Sequence, residues 1–282
     1  MKEGGMFMMF HLNELTIEEQ EKAYSKYYYQ AYSVPLAEKL ALIEQPIATE
    51  QALPIEQLND LLDVGYMGAE TGWCCLPNGA AYVANHTKMP GVTVDMVNWW
   101  FAWHSLENLR YKLWWPQGHY SISITEKDRQ KVLDPSFLPT QKFQGITHHV
   151  VEDTGGGKED IFISFLPPVD AGFNMDRFKA PYVGTVVAAN GISSPVNAPT
   201  DAPKAPAFMM HFVREIPGGV EFRSRFWIGY QMVGRKPKFL LPSHIKIPAF
   251  VPQGLVQHNI YEYTNLAAFL PQLYQEQKGM IE

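Results

Sequence analysis

Cysteine is nearly missing from this chain: 282 residues contain two, Cys74 and Cys75, and they are neighbours. They cannot staple distant segments, and a ring between adjacent cysteines is strained, so the disulfide-framework class is excluded and buried free thiols are expected. Also missing is any uncharged apolar run long enough to cross a bilayer; the apolar stretch within residues 1–10 is too short for a secretion signal. A cytoplasmic protein with no membrane partner is expected. Basic charge is not in excess either. Lys and Arg number 23 against 29 Asp and Glu, a net charge of -6, and no stretch gathers basic residues on one face, which argues against nucleic acid as a partner.

Several catalytic signatures are lacking too. There is no Gly-x-Ser-x-Gly elbow. Gly155-Gly156-Gly157-Lys158 has Glu159 where a phosphate loop needs Ser or Thr, and reads as a turn. Cys74 and Cys75 sit between Trp73 and Leu76, with no basic group or helix start evident to lower a thiol pKa.

What is present is a chain of ordinary hydrophobic content, 46%, with 13% aromatic residues, enough for one large core with planar apolar walls suited to a flat ligand. Thr16-Ile17-Glu18-Glu19 fits a capping box opening a helix through Tyr24 and Tyr27 to Tyr29. Further helices are expected over 36–42, 54–62 and 95–113, the last ended by Pro116 and Gly118. A short strand is expected over 80–84. From Tyr120 the period becomes two, Tyr120, Ile122 and Ile124 alternating with His119, Ser121 and Ser123. Strands are expected over 146–152, 161–166, 182–189, 208–214 and 220–230, with hairpin turns at 154–158 and 216–219, a flexible loop or lid over 191–206, and a closing helix over 251–277. This order gives α+β architecture, a helical N-terminal region with short strands over 1–92 and a second domain over 93–282.

Candidate chemistry gathers on histidines. His258 and Glu262, four apart on the closing helix, leave the same face and could grip one metal ion, although an exposed helical pair has the same spacing. His119 follows the Trp114-Trp115-Pro116 corner, His148 and Glu152 share one face of a strand, and His211 lies in a strand. Each alone fits a structural histidine; together they form a nitrogen and oxygen ligand set suited to zinc, with iron or manganese as alternatives. His104, Asn108 and Tyr111 form a second polar stripe at i, i+4 and i+7, either a wet helix face or donors for ligand hydroxyls.

Several motifs in order give these residues a family. The runs Gly68-Ala69-Glu70-Thr71-Gly72-Trp73-Cys74-Cys75-Leu76-Pro77 and Met89-Pro90-Gly91-Val92-Thr93, the block Trp99-Trp100-Phe101-Ala102-Trp103-His104, the stretch Arg110-Tyr111-Lys112-Leu113-Trp114 leading to His119, and His258-x-x-x-Glu262 resemble the diacetylphloroglucinol hydrolase and phloretin hydrolase family. The resemblance implies a Bet v 1-like helix-grip fold, a curved antiparallel sheet around a long C-terminal helix. It implies zinc-dependent hydrolysis of the carbon–carbon bond between a phloroglucinol-type ring and its acyl group. The implied zinc ligands are His119, Glu152, His258 and Glu262; of these, Glu152 or Glu262 is expected also to help take the proton of water. His211 falls at the catalytic histidine that is not a ligand, and Tyr111 at a tyrosine that contacts the substrate. His104, Asn108 and Tyr230 complete the expected substrate contacts. Ile122 stands where a polar pocket residue is expected, pointing to a different substrate preference. The implied partner is a small aromatic acyl-phenol, with a homodimer as the assembly to be tested. Competing readings are a carrier of lipids or aromatic polyketides without chemistry, and a metal-dependent cyclase or hydratase.

Overall fold

A computed structural model describes residues 14–279. Its centre is one antiparallel sheet of eight strands: β1 (Gly72–Cys75), β2 (Ala81–Pro90), β3 (His119–Ser123), β4 (Thr147–Asp153), β5 (Lys158–Leu166), β6 (Val183–Pro195), β7 (Ala205–Ile216) and β8 (Gly219–Ile228). Their order across the sheet is β1-β2-β8-β7-β6-β5-β4-β3. β9 (Tyr230–Val233) and β10 (Lys236–Phe239) form a separate hairpin. The expected division at residue 92 runs through the sheet, because β2, before that point, pairs along its whole length with β8.

Short helices α1 (Ile17–Gln20), α2 (Lys26–Tyr29) and α3 (Ala37–Ala41) lead the chain in. The Thr16 and Glu19 capping box forms, but the expected helix through the tyrosines is two pieces separated by turns. Residues Ile55–Leu62 wind as a 3-10 helix. The helix expected over 95–113 is broken as well. α4 (Val94–Trp103), capped by the Thr93 hydroxyl, passes into a 3-10 turn, and Glu107 at φ -150°, ψ 145° resets the chain before α5 (Asn108–Trp114). Two short helices, α6 (Glu126–Leu133) and α7 (Pro139–Phe143), precede β4. α8 (Phe250–Gln277) closes the chain. The two ends of the segment expected to be a lid are strand, since β6 runs to Pro195 and β7 starts at Ala205, and only the stretch between them is turn and loop. Cys74 is buried, whereas Cys75, on the opposite side of β1, is exposed.

Both faces of the sheet are covered. The inner face, carrying Val187, Val213, Phe222 and Met209, packs under α4, α5 and α8, where Trp100, Trp103, Tyr263, Phe269 and Leu270 fill the core. The outer face, carrying Tyr82, Phe208, Met210 and Trp227, is covered by the Ile55–Leu62 helix and by Ala171 and Phe173. No helix among the described residues is long and apolar enough to cross a membrane.

Candidate metal centre and histidine-lined chamber

His119 reaches the inner face through an irregularity in the sheet. It pairs with Glu152, but the next pairing is Ser121 with Val151, so Tyr120 is an extra residue, a β-bulge. Strict alternation would send His119 outward with Ser121 and Ser123. The bulge flips it, and His119 becomes fully buried beside Glu152.

His258 and Glu262 arrive from α8, one turn apart on its inward side. The helix is held close to the sheet by two glycines. A side chain on Gly155, in the turn after β4 at φ +105°, would come within 2.8 Å of Gly254 Cα, and one on Gly254 within 2.5 Å of the Thr154 carbonyl oxygen. This approach lets His258 Nδ1 donate to the Asp153 carbonyl at 3.0 Å. His119 Nδ1 donates to the Tyr111 carbonyl at 3.1 Å. A carbonyl only accepts, so both protons sit on Nδ1 and the Nε2 lone pairs are bare.

Those two Nε2 atoms lie 3.1 Å apart. Glu152 Oε2 is 3.5 Å and Glu262 Oε2 3.6 Å from His119 Nε2, and Glu262 Oε2 is 3.8 Å from His258 Nε2. Ligand bonds of about 2.0–2.1 Å at tetrahedral angles put ligand atoms about 3.3 Å apart, so the set fits a small divalent cation. A ligand atom each from His119, Glu152 and His258 fits within 4.8 Å. Outer partners orient the ligands, as metal sites require: the Tyr111 hydroxyl donates to Glu152 Oε2, Asn259 donates to Glu262 Oε1 at 2.8 Å, and the Tyr111 ring stacks on His119 at 4.1 Å.

Burial displaces every charge equilibrium here. It raises Glu152 to about 7, against the hydrogen bond from Tyr111, and raises Glu262 well above the ordinary carboxylate range, with Glu152 adding to the effect. It lowers His258 to about 4 and His119 well below the usual imidazole range. A cation at the centre reverses the logic for the carboxylates and suits imidazoles that are already neutral.

Glu152, His258 and Glu262 border a chamber of about 60 Å³, lined also by His104, Tyr111, Trp114, His148, Met209 and His211. His211 Nδ1 is held by Ser224 Oγ at 2.8 Å, and burial lowers His211 to about 3. His104 gives Nδ1 to the Trp100 carbonyl at 2.7 Å, and its ring lies along Trp100 and Tyr111. A second, apolar hollow of about 250 Å³ opens beside the chamber and shares Glu152, Ile163, Met209, Phe226 and Leu255 with it.

Two of the expected substrate contacts lie elsewhere. The break at Glu107 takes Asn108 off the stripe, and its side-chain oxygen accepts from the Ile122 amide at 2.8 Å, tying α5 to β3. Tyr230 lies beyond the end of β8, against the outer-face cluster, bonded to Asn78 at 2.7 Å. Ile122 is core rather than chamber wall. Asn265 and Phe269 point inward along α8, Asn265 donating to the Leu113 and Trp114 carbonyls at the end of α5. Phe226 and Met209 enter the wall unforeseen; only their alternation with outward-facing neighbours in β8 and β7 could have found them.

Residues 53–275 match the DAPG hydrolase PhiG domain family. The chain is 40% identical over 268 residues to a phloretin hydrolase of Eubacterium ramulus, covering 93% of this chain and 92% of that protein. It is 30% identical over 283 residues to a 2,4-diacetylphloroglucinol hydrolase of Pseudomonas protegens, covering 96% and 89%. A solved protein of Chromobacterium violaceum, at 12% identity and a TM-score of 0.35 over 68% of this chain and 98% of its own, is too distant to argue from. The family match and the two curated relatives span most of the chain, and the chain belongs to the DAPG hydrolase family.

Proposed function

We propose that this protein hydrolyses the carbon–carbon bond between a phloroglucinol-type ring and its acyl group, releasing a carboxylic acid and the deacylated phenol. We propose with it that the sheet and α8 form a Bet v 1-like helix-grip and that His119, Glu152, His258 and Glu262 hold one zinc ion. The observation that carries the reading is the convergence of two bare Nε2 atoms and two carboxylates at the edge of a histidine-lined chamber, in a chain with hydrolase relatives throughout its length. Zinc held there supplies Lewis acidity toward a carbonyl and a water nucleophile near neutral pH.

The chemical difficulty is a ring carbon as leaving group. A ring hydroxyl resolves it by shifting its proton to the acyl-bearing carbon, leaving a keto tautomer in which the acyl carbonyl belongs to a β-diketone. Water then adds to that carbonyl, the ring–acyl bond breaks with its electron pair passing to the ring as an enolate, and the proton released by water restores the phenol. Glu152 is placed to take the water proton, with the Tyr111 hydroxyl holding its orientation. His211, neutral and fixed through Nδ1, offers its other nitrogen to the chamber as proton shuttle or oxyanion partner. His104 and Tyr111 hold ring oxygens. The aromatic walls, Phe101, Trp114 and Phe226 among them, flank the flat ring and exclude water.

The test incubates the zinc-loaded protein with acylphloroglucinols and reads released acid by mass spectrometry. Acid release that stops on chelation and returns with zinc supports the reading. A protein that binds the phenol, releases no acid and carries no tightly bound metal is a carrier instead.

A further inference from the structure

We propose that His148 is a substrate-binding residue, taking a hydrogen bond from the ring hydroxyl para to the acyl group at the end of the chamber away from the metal ligands. The inference rests on the hydrolase reading above and names the orientation of the substrate within it.

His148 is 1% exposed, and its Nε2 has no hydrogen-bond partner. Its neighbours are the ring of Phe165 at 4.6 Å and of His104 at 5.4 Å, and it lines the chamber. A buried polar atom left unpaired is costly, and natural proteins rarely leave one without a use. The other histidines of the chamber are each tied to a protein oxygen through Nδ1: His104 to the Trp100 carbonyl, His211 to Ser224 Oγ and His258 to the Asp153 carbonyl. Among the described residues, His148 Nε2 is the one imidazole nitrogen that is buried without a hydrogen-bond partner.

Spacing fixes which oxygen it meets. His148 and Glu152 are four residues apart on the same face of β4, about 13 Å along the strand at about 3.3 Å per residue. That is roughly the span of a phenol hydrogen-bonded at one end and, through its acyl carbonyl, reaching a metal ligand at the other. The apolar hollow sets the direction. Glu152 borders both spaces, and beyond it Ile161, Ile192, Ala207 and Ile228 line a hollow of about 250 Å³ that suits the acyl tail rather than a ring carrying three hydroxyls; an apolar cavity of about 150 Å³ already accepts a benzene. With the tail there, the hydroxyl farthest from the acyl carbon points to His148. Met209, an unbranched side chain shared by both spaces, is the wall that can move to admit the ring.

The experiment compares an acylphloroglucinol with its analogue lacking the para hydroxyl, reading kcat/KM for the first and the competitive inhibition constant of the second. It uses zinc-loaded wild type, His148→Phe and His148→Gln. Wild type should bind the deoxy analogue about tenfold or more weakly than the full phenol. His148→Phe should lose about tenfold or more on the full phenol and less than about twofold on the analogue, and His148→Gln, which keeps hydrogen-bonding atoms, should recover part of that. Equal losses on both compounds, or no loss, would overturn the assignment. Should His148→Phe fail to fold, the wild-type comparison decides alone, since a deoxy analogue that binds as well as the full phenol leaves His148 nothing to recognise. Absence of acid release from wild type is a different failure and removes the hydrolase reading itself.

Discussion

Both faces of the sheet bury ionisable groups, and they treat them in opposite ways. On the outer face, Glu70 meets Arg223 and Arg225 at 2.6 and 2.7 Å, and Glu221 meets Arg214, His86 and Tyr66. Burial alone would raise Glu70, but the hydrogen bonds and charges of the two arginines outweigh it and hold it at about 2. On the inner face, Glu152 and Glu262 meet no lysine or arginine among the described residues, only the imidazoles of His119 and His258; burial pushes the carboxylates up and the imidazoles down. A charge network that is complete within the protein serves stability; one that lacks its counter-charge calls for a cation or a substrate.

Breaking the inner set should abolish function without unfolding the protein. His258→Ala should drop bound zinc well below one per chain and remove detectable acid release; a folded variant that keeps a full equivalent of zinc would refute the ligand set. His211→Ala should keep the metal and lose about 10²- to 10⁴-fold in kcat, the usual range for a proton-transfer residue. An unaltered kcat would take His211 out of the chemistry.

Breaking the outer set should do the reverse. Glu70→Gln should lower unfolding free energy by about 3 kcal/mol, since two buried guanidinium groups lose their anion, with zinc content and kcat per folded molecule unchanged. The effect carries a pH signature. Because the folded pKa lies below the ordinary value of 4.5, the contribution of Glu70 is full above about pH 4.5 and fades as pH falls toward about 2. Denaturant midpoints of wild type and Glu70→Gln should converge over that window, and a constant gap would show that the charge is not responsible.

The smallest expected effect sharpens how the faces are joined. Gly254→Ala, which must push the Thr154 carbonyl away, should shift α8 and weaken zinc by about 10- to 100-fold, as loss of an orienting contact does. A competition titration against a chelator measures this, and unchanged affinity would mean the glycine contact does not set the position of His258.

Much of this was legible along the chain. The i, i+4 pair on α8, the hairpin turns and the alternation of β4 to β8 are local patterns, and the quartet was named through motifs that survive in order. The failures have a common cause. The stripe His104, Asn108 and Tyr111 presumed an unbroken helix, and nothing local at Glu107 announces an extended residue. Residues 191–206, rich in Pro and Ser, have loop composition, yet both ends of the stretch are strand because β6 and β7 pair with each other on either side of the turn. Tyr230 was assigned without knowing that the chain leaves the sheet at Gly229.

By itself, then, the sequence determined which side chains are available and their local spacing, because helix and strand periods are properties of short segments. The tertiary structure decided which of them meet. Alternation from Tyr120 onward places His119 with the outward serines; the bulge that turns it toward Glu152 exists only in the pairing of β3 with β4. The approach of His258 to the Asp153 carbonyl likewise depends on two glycines about 100 residues apart packing backbone to backbone. Register and close approach are relations between segments, and no single segment contains them.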